Sequence, residues 1–139
     1  MIAETEFDAP MVLVVEDTPE FMEIFRTILD NLGYKLLTAS DAVTACKLLD
    51  DRHEHIDLVV TDFDLGVGTG DEVAACARQY GVSPVFLVSG EPSRADSSLY
   101  DKMYHKTDTI RLFAKDMQEL ELPAKKNLDG GVVANGNSA

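Results

Sequence analysis

Three carboxylates in this sequence follow two short apolar runs. Met11–Val15 leads directly into Glu16 and Asp17, and the run 58–61 leads into Asp62. A short apolar run bounded by turn signals is typical of a buried strand in a parallel sheet. Ligands of such sheets bind outside the carboxyl ends of the strands. If these two strands are neighbours, we expect the three carboxylates to meet at one edge of the sheet.

Carboxylates that are brought together repel one another unless a cation lies between them. Mg²⁺ suits such a place, because it typically binds through one or two carboxylates together with phosphate oxygens and waters. An aspartate after one strand would more often be an ordinary loop or cap residue. Two strands that both end in carboxylates therefore predict a magnesium site.

The rest of the chain alternates between strand and helix patterns. Strands are predicted at 11–16, 34–39, 57–62, 84–89 and 103–106, and helices at 19–32, 40–50, 71–80 and 108–122. Thr18 is expected to cap the first helix with its hydroxyl. The segment 91–98 has little apolar surface to bury, so we expect helix 4 of the fold, which would connect the fourth and fifth strands, to be short or disordered. The pattern predicts an α/β fold, a flavodoxin-like doubly wound sheet of five parallel strands in the order 2-1-3-4-5.

Length and charge limit the function classes. A chain of 139 residues predicts one domain, and we expect an acidic leader at 1–10, the folded domain at 11–122 and a disordered tail at 123–139. The net charge of −13 argues against nucleic acid and against an anionic membrane surface. The acidic N-terminus is unlike a signal peptide. These features predict a cytoplasmic protein, and nothing after 122 is expected to bind DNA.

Cys46 and Cys76 both fall in helix-like stretches. In a protein that we expect to be cytoplasmic, small buried thiols are favoured over a disulfide or a redox pair.

Over residues 10–122 the chain resembles the receiver domain of two-component response regulators. Four motifs carry the resemblance, each at the end of its own strand: Val14-Val15-Glu16-Asp17, Val59-Val60-Thr61-Asp62 with Gly70 eight residues on, Leu87-Val88-Ser89-Gly90, and Lys106. The resemblance implies a phosphorelay signalling domain that takes a phosphoryl group from a sensor histidine kinase or a histidine phosphotransfer protein. It implies Asp62 as the residue that becomes 4-aspartylphosphate.

The resemblance also assigns the metal ligands. Glu16, Asp17 and Asp62 would hold Mg²⁺ together with the backbone carbonyl oxygen of Asp64. Catalysis of phosphoryl transfer is mostly positioning and charge stabilisation. The family is a signalling domain rather than an enzyme, and at most it phosphorylates and dephosphorylates itself.

Two further residues have roles that the resemblance implies. Lys106 would contact the phosphoryl oxygens and act with Asp62 as a catalytic group, and Ser89 stands at the switch position of the family. The new charge, roughly −1.5 to −2 by analogy with phosphoserine, would draw both side chains toward it. The resulting population shift would be read by a downstream protein target.

The sequence departs from the family after its fourth strand. Thr107 stands where proline usually follows the lysine, and Met103 stands where an aromatic switch residue is common. Tyr104 is adjacent but is expected to face the other side of the strand. The interval before Lys106 is also short, and Pro84–Gly90 is loosely similar to the Pro-Phe-x-Phe-Ala-Thr-Gly-Tyr motif of a subgroup whose fourth helix is eroded. These departures concern signal output rather than phosphorylation.

Two alternatives remain open from the residues. A phosphorylation-independent pseudo-receiver would keep the fold as an interaction module. The missing proline and the eroded fourth helix favour it slightly, whereas the intact set of acidic residues, serine and lysine argues against it. A metal-dependent phosphatase on a related fold would use an Asp-x-Asp pair, a spacing that Asp62 and Asp64 match. Such phosphatases usually need a cap domain and later acidic ligands, which this sequence lacks.

Overall fold

The computed structural model describes residues 9–122, so most of the predicted leader and all of the predicted tail lie outside the described residues. The strands are β1 (Met11–Val15), β2 (Lys35–Ala39), β3 (Leu58–Thr61), β4 (Val85–Ser89) and β5 (Lys102–His105). They form one sheet in the order β2-β1-β3-β4-β5, and every neighbouring pair is parallel. The predicted fold class and strand order are confirmed.

Helices cover both faces of this sheet. They are α1 (Pro19–Asn31), α2 (Ala42–Arg52) and α3 (Gly70–Gln79), followed after β5 by a C-terminal helical segment. That segment runs through a 3₁₀ turn (Lys106–Asp108), a π turn (Thr109–Phe113) and a short α-helix (Ala114–Glu119). Within residues 9–122, no helix combines the length and apolar character that crossing a bilayer requires.

The core has two parts because the sheet is buried on both faces. Alternate residues of β1 divide between them, with Leu13 on the side of α2 and α3 and Val12 on the side of α1 and the C-terminal segment. On β5, Met103 packs on the first side and Tyr104 is buried on the second. Tyr104 therefore faces away from Met103, as the strand pattern predicts.

The connection between β4 and β5 contains no α-helix. Two 3₁₀ turns, Pro92–Arg94 and Ser97–Leu99, take its place, which confirms the expectation of a short helical segment here. The connection is tied to α3 by Asp71, whose carboxylate accepts a hydrogen bond from the Tyr100 hydroxyl at 2.8 Å and one from the Asp96 amide at 3.1 Å. Burial, together with the hydrogen bond to Asp71, raises the pKa of Tyr100 above its usual value.

Cys46 on α2 and Cys76 on α3 form a disulfide, so the expectation of two separate buried thiols is wrong. The two helices pack side by side on one face of the sheet, and the two Cα atoms are 5.8 Å apart, within the usual range for a disulfide. Both residues are only partly buried. The bond joins positions 30 residues apart in the sequence.

Gly70 begins α3 directly against the loop that follows β3. Its amide donates a hydrogen bond to the Phe63 carbonyl at 2.7 Å. A Cβ at this position would collide with the backbone carbonyl of Asp62. A glycine is therefore required here by the close approach of two backbone segments.

Because the disulfide cross-links α2 and α3, we expect the free energy of unfolding to fall when it is reduced. A cross-link that closes a loop of this length stabilises by about 2–4 kcal/mol, chiefly by constraining the unfolded chain. Dithiothreitol should lower the free energy of unfolding of the parent protein by that amount in urea titrations. The double variant Cys46→Ser/Cys76→Ser should have the same free energy of unfolding as the reduced protein, and dithiothreitol should not change it. Equal stability with and without dithiothreitol, with two free thiols titrated in the unreduced protein, would contradict the cross-link.

Gly70→Ala should destabilise the domain, because the added methyl group forces the two backbone segments apart. Overpacking of this kind costs about 1–3 kcal/mol. Gly90→Ala is the matched control, since a Cβ at Gly90 meets nothing within 4 Å. Urea titration of both variants measures the difference. If Gly70→Ala is no less stable than Gly90→Ala, the described packing is incorrect.

Candidate functional site

The carboxyl ends of β1 and β3 bring three acidic side chains together. Val15 pairs with Thr61 in the sheet, and the Asp62 amide donates to the Val15 carbonyl at 3.0 Å. As a result, one carboxylate oxygen from each of Glu16, Asp17 and Asp62 lies within 4.8 Å of the others. The parallel pairing of β1 and β3 thus brings the three carboxylates together, as we expect from the sequence.

The three carboxylates differ in their surroundings. Glu16 and Asp62 are buried, with 1% and 5% of their surface exposed, whereas Asp17 is exposed. Thr18 donates its amide (3.1 Å) and its hydroxyl (2.7 Å) to Oε2 of Glu16. Burial raises the pKa of Glu16 above its ordinary value, and these two hydrogen bonds only partly offset that effect.

Lys106 supplies the positive charge next to the two buried carboxylates. Its Nζ donates to Oδ2 of Asp62 at 2.9 Å and lies 3.3 Å from each carboxylate oxygen of Glu16. It also lies 4.2 Å from the centre of the Phe21 ring, a distance typical of a cation–π contact. Although burial acts to lower it, the pKa of Lys106 is raised by the hydrogen bond to Asp62 and by both negative charges.

The loop that carries Lys106 is held by hydrogen bonds in the place where the family usually has proline. The Thr107 amide donates to Nδ1 of His105 at 3.2 Å. The Thr109 hydroxyl donates to the Lys106 carbonyl at 2.7 Å. The lysine is therefore positioned although Thr107 follows it.

Asp62 has both carboxylate oxygens fixed. Oδ1 accepts a hydrogen bond from the Phe63 amide at 2.6 Å, while Oδ2 is held by Lys106. The Thr61 hydroxyl donates to the Asp62 carbonyl at 2.8 Å. The carboxylate therefore has a defined orientation at the end of β3.

A cleft of about 340 Å³ opens beside Asp62. Its lining includes Asp62, Asp64, Ser89, Glu91, Arg94 and Lys106. Ser89 is buried, and its hydroxyl oxygen accepts a hydrogen bond from the Glu91 amide at 3.0 Å. Because a hydroxyl also carries one donor, Ser89 can still donate to a ligand in this cleft.

Arg94 is the residue of this cleft that sequence reasoning missed. Its Nη1 lies 3.0 Å from Oδ2 of Asp64, and its Cζ lies 4.9 Å from the centre of the Phe63 ring. A single arginine in a polar segment gives no sequence signal, because its location depends on how the β4–β5 connection folds. The Asp64 carboxylate is exposed and paired with this arginine.

The carboxylate cluster fits a hard divalent cation. Its donors are all oxygens, which Mg²⁺ prefers. Oε1 of Glu16 is buried and accepts no hydrogen bond from the residues 9–122 that the structure describes. Asp17 leaves the cluster open to solvent on one side, and a Cβ at Gly66 would lie 3.7 Å from its Oδ2, so the loop after β3 approaches it closely. Mg²⁺ therefore matches both the chemistry and the openness of this place.

Comparison with known proteins finds relatives among two-component signalling proteins. The sensor histidine kinase RcsC of Escherichia coli K12 is 33% identical over 133 residues, covering 91% of this chain and 14% of that protein. A putative two-component response regulator of Arabidopsis thaliana is 24% identical over 110 residues, covering 73% of this chain and 18% of that protein. The chain thus spans less than a fifth of the length of these two relatives.

A solved structure shares the fold. The crystal structure of the response regulator protein TrrA from Thermotoga maritima, in complex with Mg²⁺ and BeF, superposes with a TM-score of 0.70 at 24% identity. The match covers 81% of this chain and 99% of that one. The family model of the response regulator receiver domain matches residues 12–124. The chain therefore belongs to the response regulator receiver domain family of two-component systems.

Proposed function

We propose that this chain is a phosphorylation-dependent receiver in which Asp62 accepts a phosphoryl group from a phosphohistidine in a Mg²⁺-dependent reaction. The observation that carries the proposal is the position of Lys106, 2.9 Å from Asp62 within a cluster of three carboxylates. A lysine beside a nucleophilic carboxylate and a candidate magnesium site are the groups that phosphoryl transfer needs.

In this proposal Glu16, Asp17 and Asp62 hold Mg²⁺, with the backbone carbonyl of Asp64 as a further ligand. When bound, the ion neutralises charge on the phosphoryl oxygens. Asp17 contributes an exposed carboxylate at the open side of the cluster. Glu16 contributes its buried oxygen Oε1, which lies 3.3 Å from the Lys106 ammonium but accepts no hydrogen bond from the residues described.

The protein's own groups position the nucleophile. A carboxylate oxygen of Asp62 attacks phosphorus, the bond from phosphorus to the imidazole nitrogen breaks, and the electron pair returns to the histidine of the donor protein. The Phe63 amide holds Oδ1 in place. Lys106 offers positive charge to the phosphoryl oxygens, and the Ser89 hydroxyl can donate one hydrogen bond to them.

The partners in this proposal are proteins. The phosphoryl donor is a sensor histidine kinase or a histidine phosphotransfer protein, and the output is contact with a downstream protein. The domain acts as a signalling unit whose own chemistry is limited to accepting and losing one phosphoryl group. The net charge of −13 supports a protein partner over nucleic acid or an anionic membrane.

Asp17→Asn tests the metal site with little effect on the fold, because Asp17 is exposed. The variant should bind Mg²⁺ at least about tenfold more weakly, since even changes beyond the direct ligands cause losses of that size. Calorimetric titration of Mg²⁺ measures the affinity. Asp51→Asn, an exposed carboxylate on α2, is the matched control and should bind as the parent does. Equal affinity in all three proteins would place the ion elsewhere.

Phosphorylation is tested by incubation with acetyl phosphate and Mg²⁺, followed by intact mass spectrometry. The parent protein should gain one phosphoryl mass, and this gain should disappear with EDTA and in Asp62→Asn. Amide NMR with beryllofluoride should show shifts near Ser89 and Lys106. No gain in mass and no shifts would leave the phosphorylation-independent interaction module. Steady release of phosphate from general phosphate esters would instead indicate a phosphatase.

A further inference from the structure

Arg94 lines the cleft beside Asp62 and has no role in the function proposed above. It belongs to the 3₁₀ turn Pro92–Arg94, in the segment that replaces the missing helix. Its guanidinium is 3.0 Å from the Asp64 carboxylate, 4.0 Å from that of Glu91, and rests on the Phe63 ring. Apart from Lys106, it is the cation that lines this cleft among the described residues.

The contacts that hold Arg94 are weak enough to exchange. The side chains of Arg94 and Asp64 are 50% and 72% exposed. An exposed ion pair of this kind contributes little, because water screens it and two long side chains lose freedom in making it. Asp64 therefore holds the guanidinium near the cleft without fixing it there.

The part of the β4–β5 connection that follows the turn is better anchored than this side chain. Asp71 accepts hydrogen bonds from Asp96 and Tyr100, and Nε of Arg78 donates to the Leu99 carbonyl at 3.2 Å. These contacts tie the far half of the β4–β5 connection to α3. The guanidinium can therefore change partner while this half of the connection stays in place.

A phosphoryl group on Asp62 would be a stronger partner than Asp64. It carries roughly −1.5 to −2 charges and three acceptor oxygens, by analogy with phosphoserine. The planar guanidinium donates two parallel hydrogen bonds to phosphate, a geometry that lysine cannot reproduce. The phosphoryl group would also lie in a cleft partly shielded from water, where the attraction is less screened.

We propose that Arg94 is a second cationic phosphate-binding residue, which leaves Asp64 and binds the phosphoryl oxygens when Asp62 is phosphorylated. This inference rests on the proposed function. The exchange draws the turn Pro92–Arg94 toward Asp62 and covers the mouth of the cleft. The conformation of this turn thereby depends on whether Asp62 is phosphorylated.

Beryllofluoride in the presence of Mg²⁺ is the probe, because it mimics the phosphoryl group without a covalent step. Its apparent affinity is measured by NMR titration of the parent and of Arg94→Ala, Arg94→Lys and Arg78→Ala. Arg94→Ala should bind about tenfold more weakly, the size expected for hydrogen bonds to a charged group. Arg94→Lys should recover part of the loss, because it keeps the charge but loses the paired donors.

Two readouts separate phosphate binding from a structural role. Arg78→Ala loosens the same segment without lining the cleft, and it should bind beryllofluoride within about twofold of the parent. Mg²⁺ affinity without beryllofluoride should be unchanged in Arg94→Ala. In the parent, the guanidinium Nε–H signal of Arg94 should shift on beryllofluoride addition.

Parent-like affinity in Arg94→Ala would overturn this inference and leave the proposed function standing. Equal losses in Arg94→Ala and Arg78→Ala would also overturn it, because they would indicate a general loosening of the segment. If the parent itself fails to bind beryllofluoride and is not phosphorylated, the proposed function fails and this inference falls with it.

Discussion

The position of Lys106 between two buried carboxylates is the interaction on which the rest of the site depends. Glu16 and Asp62 lie at the ends of adjacent parallel strands, so the register of the sheet forces their charges together. The lysine offsets that repulsion from the end of β5. Removing one partner of a buried pair leaves an uncompensated charge, which typically costs about 3–5 kcal/mol. The same lysine also places a positive charge beside Asp62, where it can offset the negative charge of an incoming phosphoryl group.

The loop that carries Asp62 is held from both sides by the helices that the disulfide joins. The Ala42 amide, at the start of α2, donates to the Val67 carbonyl at 3.2 Å, and the Gly70 amide, at the start of α3, donates to the Phe63 carbonyl at 2.7 Å. The cross-link lies one to two turns further along both helices. One side of the site is therefore held by two cross-linked helices, whereas the β4–β5 side consists of short turns. Movement on phosphorylation is expected on that second side.

Sequence reasoning predicted the structure correctly where one apolar run or one strand end determines it. The apolar runs before Asp17 and Asp62 fix the sheet and the acidic cluster, because both must be buried on two faces. It failed where two distant elements have to be packed first. Cys46 and Cys76 meet only because α2 and α3 lie side by side, and Arg94 enters the cleft only because its turn folds back. Thr18 stands at the N-cap of α1 as predicted, but its hydroxyl makes no cap hydrogen bond and donates to Glu16 instead.

Chemical trapping can identify the residue that carries the phosphoryl group. The protein is phosphorylated with acetyl phosphate and Mg²⁺, reduced with borohydride and digested, and the peptides are sequenced by mass spectrometry. Borohydride converts an aspartyl phosphate to homoserine, so we expect homoserine at position 62 and aspartate at positions 17 and 64. Homoserine at another position, or none in a protein that has gained phosphoryl mass, would contradict Asp62 as the acceptor.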